Sequence, residues 1–101
     1  MADYKKTKKE KEIKRAIILA YGKNEVGVLF NICKILNDNK ISVLDIKQTI
    51  VAGYFNLMAM TDITNVKDKM KVKKEFDILA KKLNISINFQ LEQTFLAMHQ
   101  V

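Results

Sequence analysis

Residues 16–28 read AIILAYGKNEVGV, and this stretch decides how the chain begins to fold. Its first six residues are apolar, and a short continuous apolar run is typical of a central strand that is buried on both faces. Gly22 and Gly27 then bracket a tight turn, and a helical spacing of apolar residues starts near Val28. The stretch therefore predicts a strand, a turn and the N-terminus of a helix. Unpaired backbone N–H groups at a helix N-terminus favour an anion, so this loop is a candidate site for a carboxylate or a phosphate.

Hydrophobic periodicity divides the rest of the chain into helices and strands. The predicted elements after the first strand are a helix over 28–40, strands over 42–51 and 54–63 joined at Ala52-Gly53, a helix over 72–83 and a strand over 85–91. The spacing of Phe95 and Met98 indicates one or two further helical turns. Cys33 falls on the apolar side of the first helix, which predicts a small core residue. The strand over 42–51 is expected to be half-buried, because its polar and apolar residues alternate.

The main elements follow the order strand, helix, strand, strand, helix, strand. Two crossover units with right-handed connections produce a four-stranded antiparallel sheet with both helices on one face. The sequence thus predicts an α+β domain of the ferredoxin-like βαββαβ type. Because this fold serves many functions, the function has to be argued from sites.

Much of the net charge of +7 lies near the N-terminus of this 101-residue chain. Residues 1–15 hold seven basic and three acidic side chains, whereas the remainder holds eleven and eight. We therefore expect a flexible basic tail over residues 1–12 and a single domain over residues 13–101. The single cysteine cannot form an internal disulfide, and no apolar run is long enough to span a bilayer. These features predict a cytoplasmic protein with no membrane partner.

Catalytic and metal-binding side chains are sparse. His99 is the one histidine and stands near the C-terminus, where no Ser-His-Asp arrangement can be built around it. Cys33 and His99 are the only soft metal ligands, and they do not stand at ligand spacing. The loop after the first strand is similar to the phosphate loop of acylphosphatases, but Asn31 stands where those enzymes need an arginine. The sequence therefore predicts no enzyme, no catalytic residue, no metal site and no cofactor.

The second hairpin strand is apolar on both faces. Tyr54, Met58 and Met60 point to one side, and the residues that alternate with them point to the other. A small sheet with two helices normally has one face covered, so Tyr54, Met58 and Met60 predict an interface with another subunit. The alternative is that the C-terminal segment folds back over this face.

Nucleic-acid association is the alternative function. RNA-recognition motifs share this fold and stack bases on aromatic residues of the open sheet face. A basic tail and the lysines of the second helix would supply phosphate contacts in such a module. However, Tyr54 and Phe55 are adjacent, so only one can face the open side, and Met58 and Met60 stand where stacking rings are needed. A nucleic-acid partner is therefore disfavoured.

The loop after the first strand suits a small zwitterion. Backbone N–H groups at the helix start would take a carboxylate, and Asn24 would orient the ligand. Glu25 or Asp45 would take an ammonium group. Glu25 is explained equally well as an acidic residue that the helix dipole favours near an N-terminus.

Three motifs in order resemble those of small stand-alone ACT domains. The motifs are GKNEVGV at 22–28, DIKQT at 45–49 and YFNLMAM at 54–60, and the segments 87–90 and 95–98 are also similar. The resemblance implies the βαββαβ fold and a dimer or larger homo-oligomer. It also implies a regulatory, non-enzymatic function that depends on binding an amino acid or a related small molecule at subunit interfaces.

The resemblance also assigns a ligand loop to this chain. The implied loop consists of Asn24, Glu25, Val26, Gly27 and Val28, and Gly27 allows a close backbone approach. Family loops usually have a proline before that glycine, where this chain has Val26. They usually have an acidic residue after the Gly-Lys pair, where this chain has Asn24.

Overall fold

The fold consists of four strands and three helices within residues 13–98, which are the residues that the computed structural model describes. In chain order they are β1 (Arg15–Lys23), α1 (Val28–Asp38), β2 (Ser42–Val51), β3 (Tyr54–Asp62), α2 (Lys69–Leu83), β4 (Ser86–Leu91) and α3 (Glu92–Met98). All the predicted elements are present, including the final helical turns. The predicted basic tail over residues 1–12 and His99 lie outside the described residues.

The strands form one antiparallel sheet in the order β2-β3-β1-β4. This order confirms the predicted ferredoxin-like arrangement. β1 is central, because Ile18 pairs with Ala59 of β3 on one side and with Phe89 of β4 on the other. The register between β2 and β3 shifts between Val43 and Asp45, which makes Leu44 the extra residue of a β-bulge.

The core lies between the sheet and the helices α1 and α2. α1 buries Val28, Ile32 and Leu36, which follow one another at steps of four and therefore share one face. Phe76 of α2 stacks on Phe89 of β4, with 5.6 Å between the ring centroids. An aromatic pair of this kind adds about 0.5–1.5 kcal/mol beyond the burial of its surface. The pair therefore helps to fix α2 on the sheet.

Local side chains and backbone angles explain two boundaries. Asp68 caps α2, because its carboxylate accepts a hydrogen bond from the backbone N–H of Lys71 at 3.1 Å. α2 therefore begins at Lys69, three residues before the predicted start. The β2–β3 hairpin turns at Ala52 and Gly53, whose φ angles of 54° and 83° have the positive sign that a type I′ turn requires.

A polar cluster joins the end of α1 to α2. The side-chain amide of Asn39 donates to the carbonyl oxygen of Ile35 at 2.8 Å and to the Glu75 carboxylate at 2.7 Å. Lys71 Nζ lies 3.1 Å from the other oxygen of Glu75. The hydrogen bond from Asn39, followed by the contact with Lys71, lowers the pKa of Glu75 below its usual value.

Two predictions about burial are wrong. Cys33 is exposed, because Ile32 and Leu36 define the buried face of α1 and the residue after Ile32 is turned about 100° away. β2 is not half-buried, since all ten of its residues are exposed. Ile46 and Ile50 share the helix side of the sheet with Ala59 and Phe55, yet they remain exposed because β2 is an edge strand that the helices do not cover.

Candidate ligand loop and interface surfaces

The loop between β1 and α1 is held against the β2–β3 hairpin. The backbone N–H of Asn24 donates to the carbonyl oxygen of Gly53 at 2.8 Å, so the loop and the hairpin turn form one end of the molecule. Gly22 precedes this contact and lies against Ile85. A Cβ atom at position 22 would stand 2.8 Å from Ile85 Cγ2, which is too close for any other residue without movement. The glycine therefore allows β1 to pass the turn before β4.

α1 begins without a side-chain cap. Gly27 is the N-cap residue, with φ at 90°, and the first helical turn holds no acidic side chain. The N–H of Val28 donates to the Glu25 carbonyl oxygen at 3.3 Å, and the N–H of Asn31 donates to the Gly27 carbonyl oxygen at 2.9 Å. The two N–H groups between them have no acceptor within residues 13–98. These N–H groups leave the positive end of the helix dipole available to an anion.

The predicted loop residues differ in what they can offer a ligand. Asn24 and Glu25 are exposed, and Val26 is completely exposed at 104% of its reference surface. Gly27 is half-buried at the helix start. Val28 belongs to the core at 3% exposure, so its side chain cannot contact a ligand in the loop. The loop therefore presents one amide, one carboxylate and one apolar side chain around the uncapped helix.

The fold does not bring Asp45 to this loop within one chain. Asp45 pairs with Met60 at one end of β3, whereas Tyr54 at the other end pairs with Lys23 beside the loop. Tyr54 and Met60 are six positions apart along β3, which corresponds to about 20 Å along the strand. Within one chain, Glu25 is thus the nearer of the two predicted carboxylates.

The predicted interface residues lie on the open face of the sheet. Tyr54 is 59% exposed and Met58 is 47% exposed, whereas Met60 is half-buried. A cavity of about 290 Å³ on this face is lined by Leu19, Tyr21 and Met58, among others. α3 contacts β1 and β4, and the exposure of Tyr54 and Met58 shows that the described C-terminal segment leaves this end of the face open.

Tyr21 is a residue of this open face that the sequence analysis missed. It is 58% exposed and pairs with Asn56, two residues from Tyr54 on β3. The signal was available, because alternation along β1 places Tyr21 opposite to Ala20, which is a core residue. The sequence analysis missed Tyr21 because it predicted that β1 is buried on both faces.

The edge of β2 is the second surface that sequence reasoning missed. Five apolar residues along this ten-residue strand are exposed: Val43, Leu44, Ile46, Ile50 and Val51. A long edge strand with exposed apolar side chains is a template for pairing with another strand. The charged side chains Asp45 and Lys47 are the residues of β2 that would oppose unselective pairing.

The described part of the chain offers no metal centre, since residues 13–98 contain no group of three His, Cys, Asp or Glu side chains that could hold an ion. None of the helices in residues 13–98 has the length and apolar composition that a bilayer crossing requires. The lysines of α2 are partly engaged on their own helix, because Lys71 pairs with Glu75 and Lys73 lies 3.9 Å from Asp77. The other four lysines of α2, which are Lys69, Lys74, Lys81 and Lys82, have no carboxylate within 4.0 Å in the described part of the chain.

Residues 14–90 match the family model of the ACT domain. The chain belongs to the ACT domain family. This membership confirms the resemblance that the three sequence motifs carry.

Two relatives of this ACT domain are UPF0237 proteins. One from Clostridium perfringens is 38% identical over 87 residues, which cover 85% of this chain and 98% of the relative. One from Clostridium acetobutylicum is 42% identical over 88 residues, which cover 86% of this chain and 99% of the relative. The solved structure of an ACT domain protein from Streptococcus pneumoniae matches with a TM-score of 0.68 at 26% identity, over 87% of this chain and 96% of that chain. ACT domains are typically regulatory modules that bind small molecules, and these relatives are similarly small.

Proposed function

We propose that this ACT domain is a non-enzymatic regulator that binds an amino acid or a related small molecule and acts as a homo-oligomer in the cytoplasm. The observation that carries the proposal is the uncapped start of α1, where Gly27 gives backbone access and no acidic side chain occupies the first turn. Family membership supports a small-molecule ligand, and the loop geometry supports a ligand that carries a carboxylate.

The loop chemistry fits a zwitterion. The unpaired N–H groups at the start of α1 would receive the carboxylate, and the exposed Glu25 would receive the ammonium group. Val26 projects a fully exposed apolar side chain beside them, which suits an apolar ligand group. The carbonyl oxygen of Gly27 is already engaged by Asn31, whose side-chain amide donates to it at 2.7 Å, so the ligand site is the N–H side of this turn.

A second copy of the chain would extend the surface beside the ligand loop through β2. If two β2 strands pair antiparallel about their centres, the start of one strand lies beside the end of the other, which adjoins the ligand loop. In that register Asp45 of a second copy would lie beside Gln48, about 10 Å along the strand from the end that adjoins the loop, so the start of β2, and not Asp45, would reach that end. Binding that depends on two copies would couple the ligand to assembly, because a ligand stabilises the state that it binds better.

The open face offers a second contact for a larger oligomer. Tyr54, Met58 and Met60 lie there with the exposed Tyr21 and form a mainly apolar surface. Closed symmetry would use the same patch on both copies. The two surfaces are distinct, so separate substitutions test them.

Oligomer mass by light scattering tests the two surfaces. Ile46→Lys on the β2 edge and Met58→Asp on the open face should each reduce the mass if its surface is an interface. Ile78→Asp is the matched control, because Ile78 is an exposed apolar residue on α2, away from both surfaces. A wild-type chain that is monomeric at high concentration would refute the oligomer.

Calorimetry and thermal shift across the common amino acids test the ligand. A ligand at one hundred times its Kd should add about 2.7 kcal/mol to the free energy of unfolding. Glu25→Gln should weaken the binding of an amino acid but not that of its deaminated analogue, since the analogue lacks the ammonium group. If no amino acid produces heat or a thermal shift with a folded oligomer, the proposed ligand class is wrong.

A further inference from the structure

A cationic cavity lies at the end of the sheet opposite to the ligand loop. Its volume is about 270 Å³, and its polar lining consists of Lys14, Arg15, Lys69, Glu92 and Gln93. Three junctions meet there: the start of β1, the start of α2 and the passage from β4 into α3. The eight-residue rise of β1 from Arg15 to Lys23 places this cavity about 26 Å from the loop after β1. The cavity is therefore separate from the site of the proposed function.

The charges that line the cavity are unbalanced. Arg15 Nε donates to Glu92 Oε1 at 2.9 Å, so the one carboxylate of the lining is already paired. Neither Lys14 nor Lys69 has a carboxylate within 4.0 Å in the part of the chain that the structure describes. Three positive charges against one negative charge leave the lining at +2.

Two further carboxylates lie near the cavity and keep their negative charge, but neither is directed into it. Asp62 lies across from Arg15 in the sheet, but its side chain accepts hydrogen bonds from the backbone N–H of Thr64 at 2.9 Å and from the Thr64 hydroxyl at 2.6 Å. Asp68 is turned to the backbone N–H of Lys71 as the cap of α2. Neither carboxylate lines the cavity or forms an ion pair with the lysines.

Lys69 is placed to interact with a ligand in the cavity. It is the first residue of the fifteen-residue helix α2 and is half-buried, so its aliphatic stem packs against the protein while its ammonium group reaches the cavity. The N-terminal end of α2 lies at the same junction, where the Asp68 carboxylate already caps it. A partly enclosed space with unpaired cations on two sides favours a ligand with two negative charges over one with a single charge.

We propose that this cavity binds a small dianion, either a phosphate group or a dicarboxylate, through Lys14 and Lys69. Arg15 and the Gln93 amide are additional donors at the same cavity. Because a dianion would compete with Glu92 for Arg15, occupation of the cavity should also loosen the ion pair that joins β1 to α3. The site lies outside the loop that receives the proposed amino acid, so an amino acid and a dianion could bind together.

Titration of the full chain with inorganic phosphate and, separately, with succinate tests the proposal by amide chemical shifts at constant ionic strength. We expect saturable shifts at residues 14–15, 69 and 92–93, without shifts of the loop over residues 24–27. Lys14→Ala and Lys69→Ala should each weaken binding about fivefold, the upper effect of one partly exposed charge contact. Glu92→Gln should strengthen it by a similar factor, since it removes the competing carboxylate. Lys82→Ala is the matched control on α2 and should change nothing, because Lys82 does not line the cavity.

The pattern of the four variants decides the outcome. Saturation with phosphate alone or with succinate alone supports the site and identifies the source of the dianion. The proposal is wrong if neither probe saturates, if Lys82→Ala weakens binding as much as Lys69→Ala, or if Glu92→Gln weakens it. These results do not bear on the amino-acid site, whose test depends on the loop and on a different ligand class.

Discussion

Replacing the three glycines of this chain one at a time with alanine separates backbone strain from steric close approach. Gly53 has φ at 83° and nothing within 4 Å of an added Cβ atom, so Gly53→Ala tests strain alone. Gly27 has φ at 90°, and its added Cβ would meet only Asn31 Nδ2 at an ordinary 3.5 Å. Both variants should lose about 1–2 kcal/mol of unfolding free energy, the cost of a left-handed conformation for alanine.

Gly22→Ala should cost more than either of them. Its added Cβ would lie 2.8 Å from Ile85 Cγ2 and 3.2 Å from Ile85 Cα, and the backbone atom cannot move aside without shifting the start of β4. Overpacking of this kind costs about 1–3 kcal/mol and adds to any loss of backbone freedom. We expect a total of about 3 kcal/mol, at the upper end of that range.

Urea denaturation of the three variants measures these differences directly. Each kcal/mol also corresponds to about 4–8 °C in Tm for a domain of this size. Gly53→Ala should lose about the same stability as Gly27→Ala, because both glycines have a left-handed φ. Gly27→Ala should also weaken the binding of the amino-acid ligand, because Gly27 is the N-cap at the proposed carboxylate site. If Gly22→Ala lowers the free energy of unfolding by no more than Gly53→Ala does, the inference that β1 closely approaches Ile85 is wrong.

Three further measurements follow from the structure. Ala52→Asn should stabilise the domain by about 1 kcal/mol, because asparagine accepts the positive φ of the hairpin turn better than alanine; no gain in urea denaturation would contradict the type I′ assignment. The pKa of Glu75 is lowered in the folded protein, so its stabilisation should be complete above the pKa of the unfolded chain and should vanish as the pH falls through the folded pKa. Glu75→Gln should remove that part of the acid dependence, and an unchanged stability curve at acidic pH would show that the cluster with Asn39 contributes nothing. Cys33 should react with a thiol reagent in the native protein at nearly the rate of the unfolded chain, whereas slow labelling would show that it is covered.

The order and kind of the elements could be predicted because periodicity is a local property. The alternation over residues 85–91 needs no partner to indicate a strand, and β4 begins one residue from the predicted start. The start of α1 at Val28 is likewise determined by the two glycines before it. The start of α2 was placed too late, because the apolar pattern begins at Val72 while the Asp68 cap begins the helix earlier.

Burial was harder to predict because it depends on what covers a residue. Ile46 and Ile50 alternate with polar residues as a half-buried strand should, yet they are exposed at an edge. Cys33 stands among apolar neighbours in the sequence but lies one position off the buried face of α1. Tyr21 is exposed although it ends a continuous apolar run. Such a run contains no polar residue that would distinguish the open face of the strand from its core face.

By itself, the sequence determined the βαββαβ order, the helix start at Val28 and the loop that could receive a carboxylate, because each depends on residues within a few positions of one another. The tertiary structure alone decided which distant residues meet. It separated Asp45 from the loop, left β2 as a bare edge, and brought Lys14, Lys69 and Glu92 to one cavity. These outcomes depend on strand order and register, and a local pattern carries neither, because the side chains that meet are up to 78 positions apart.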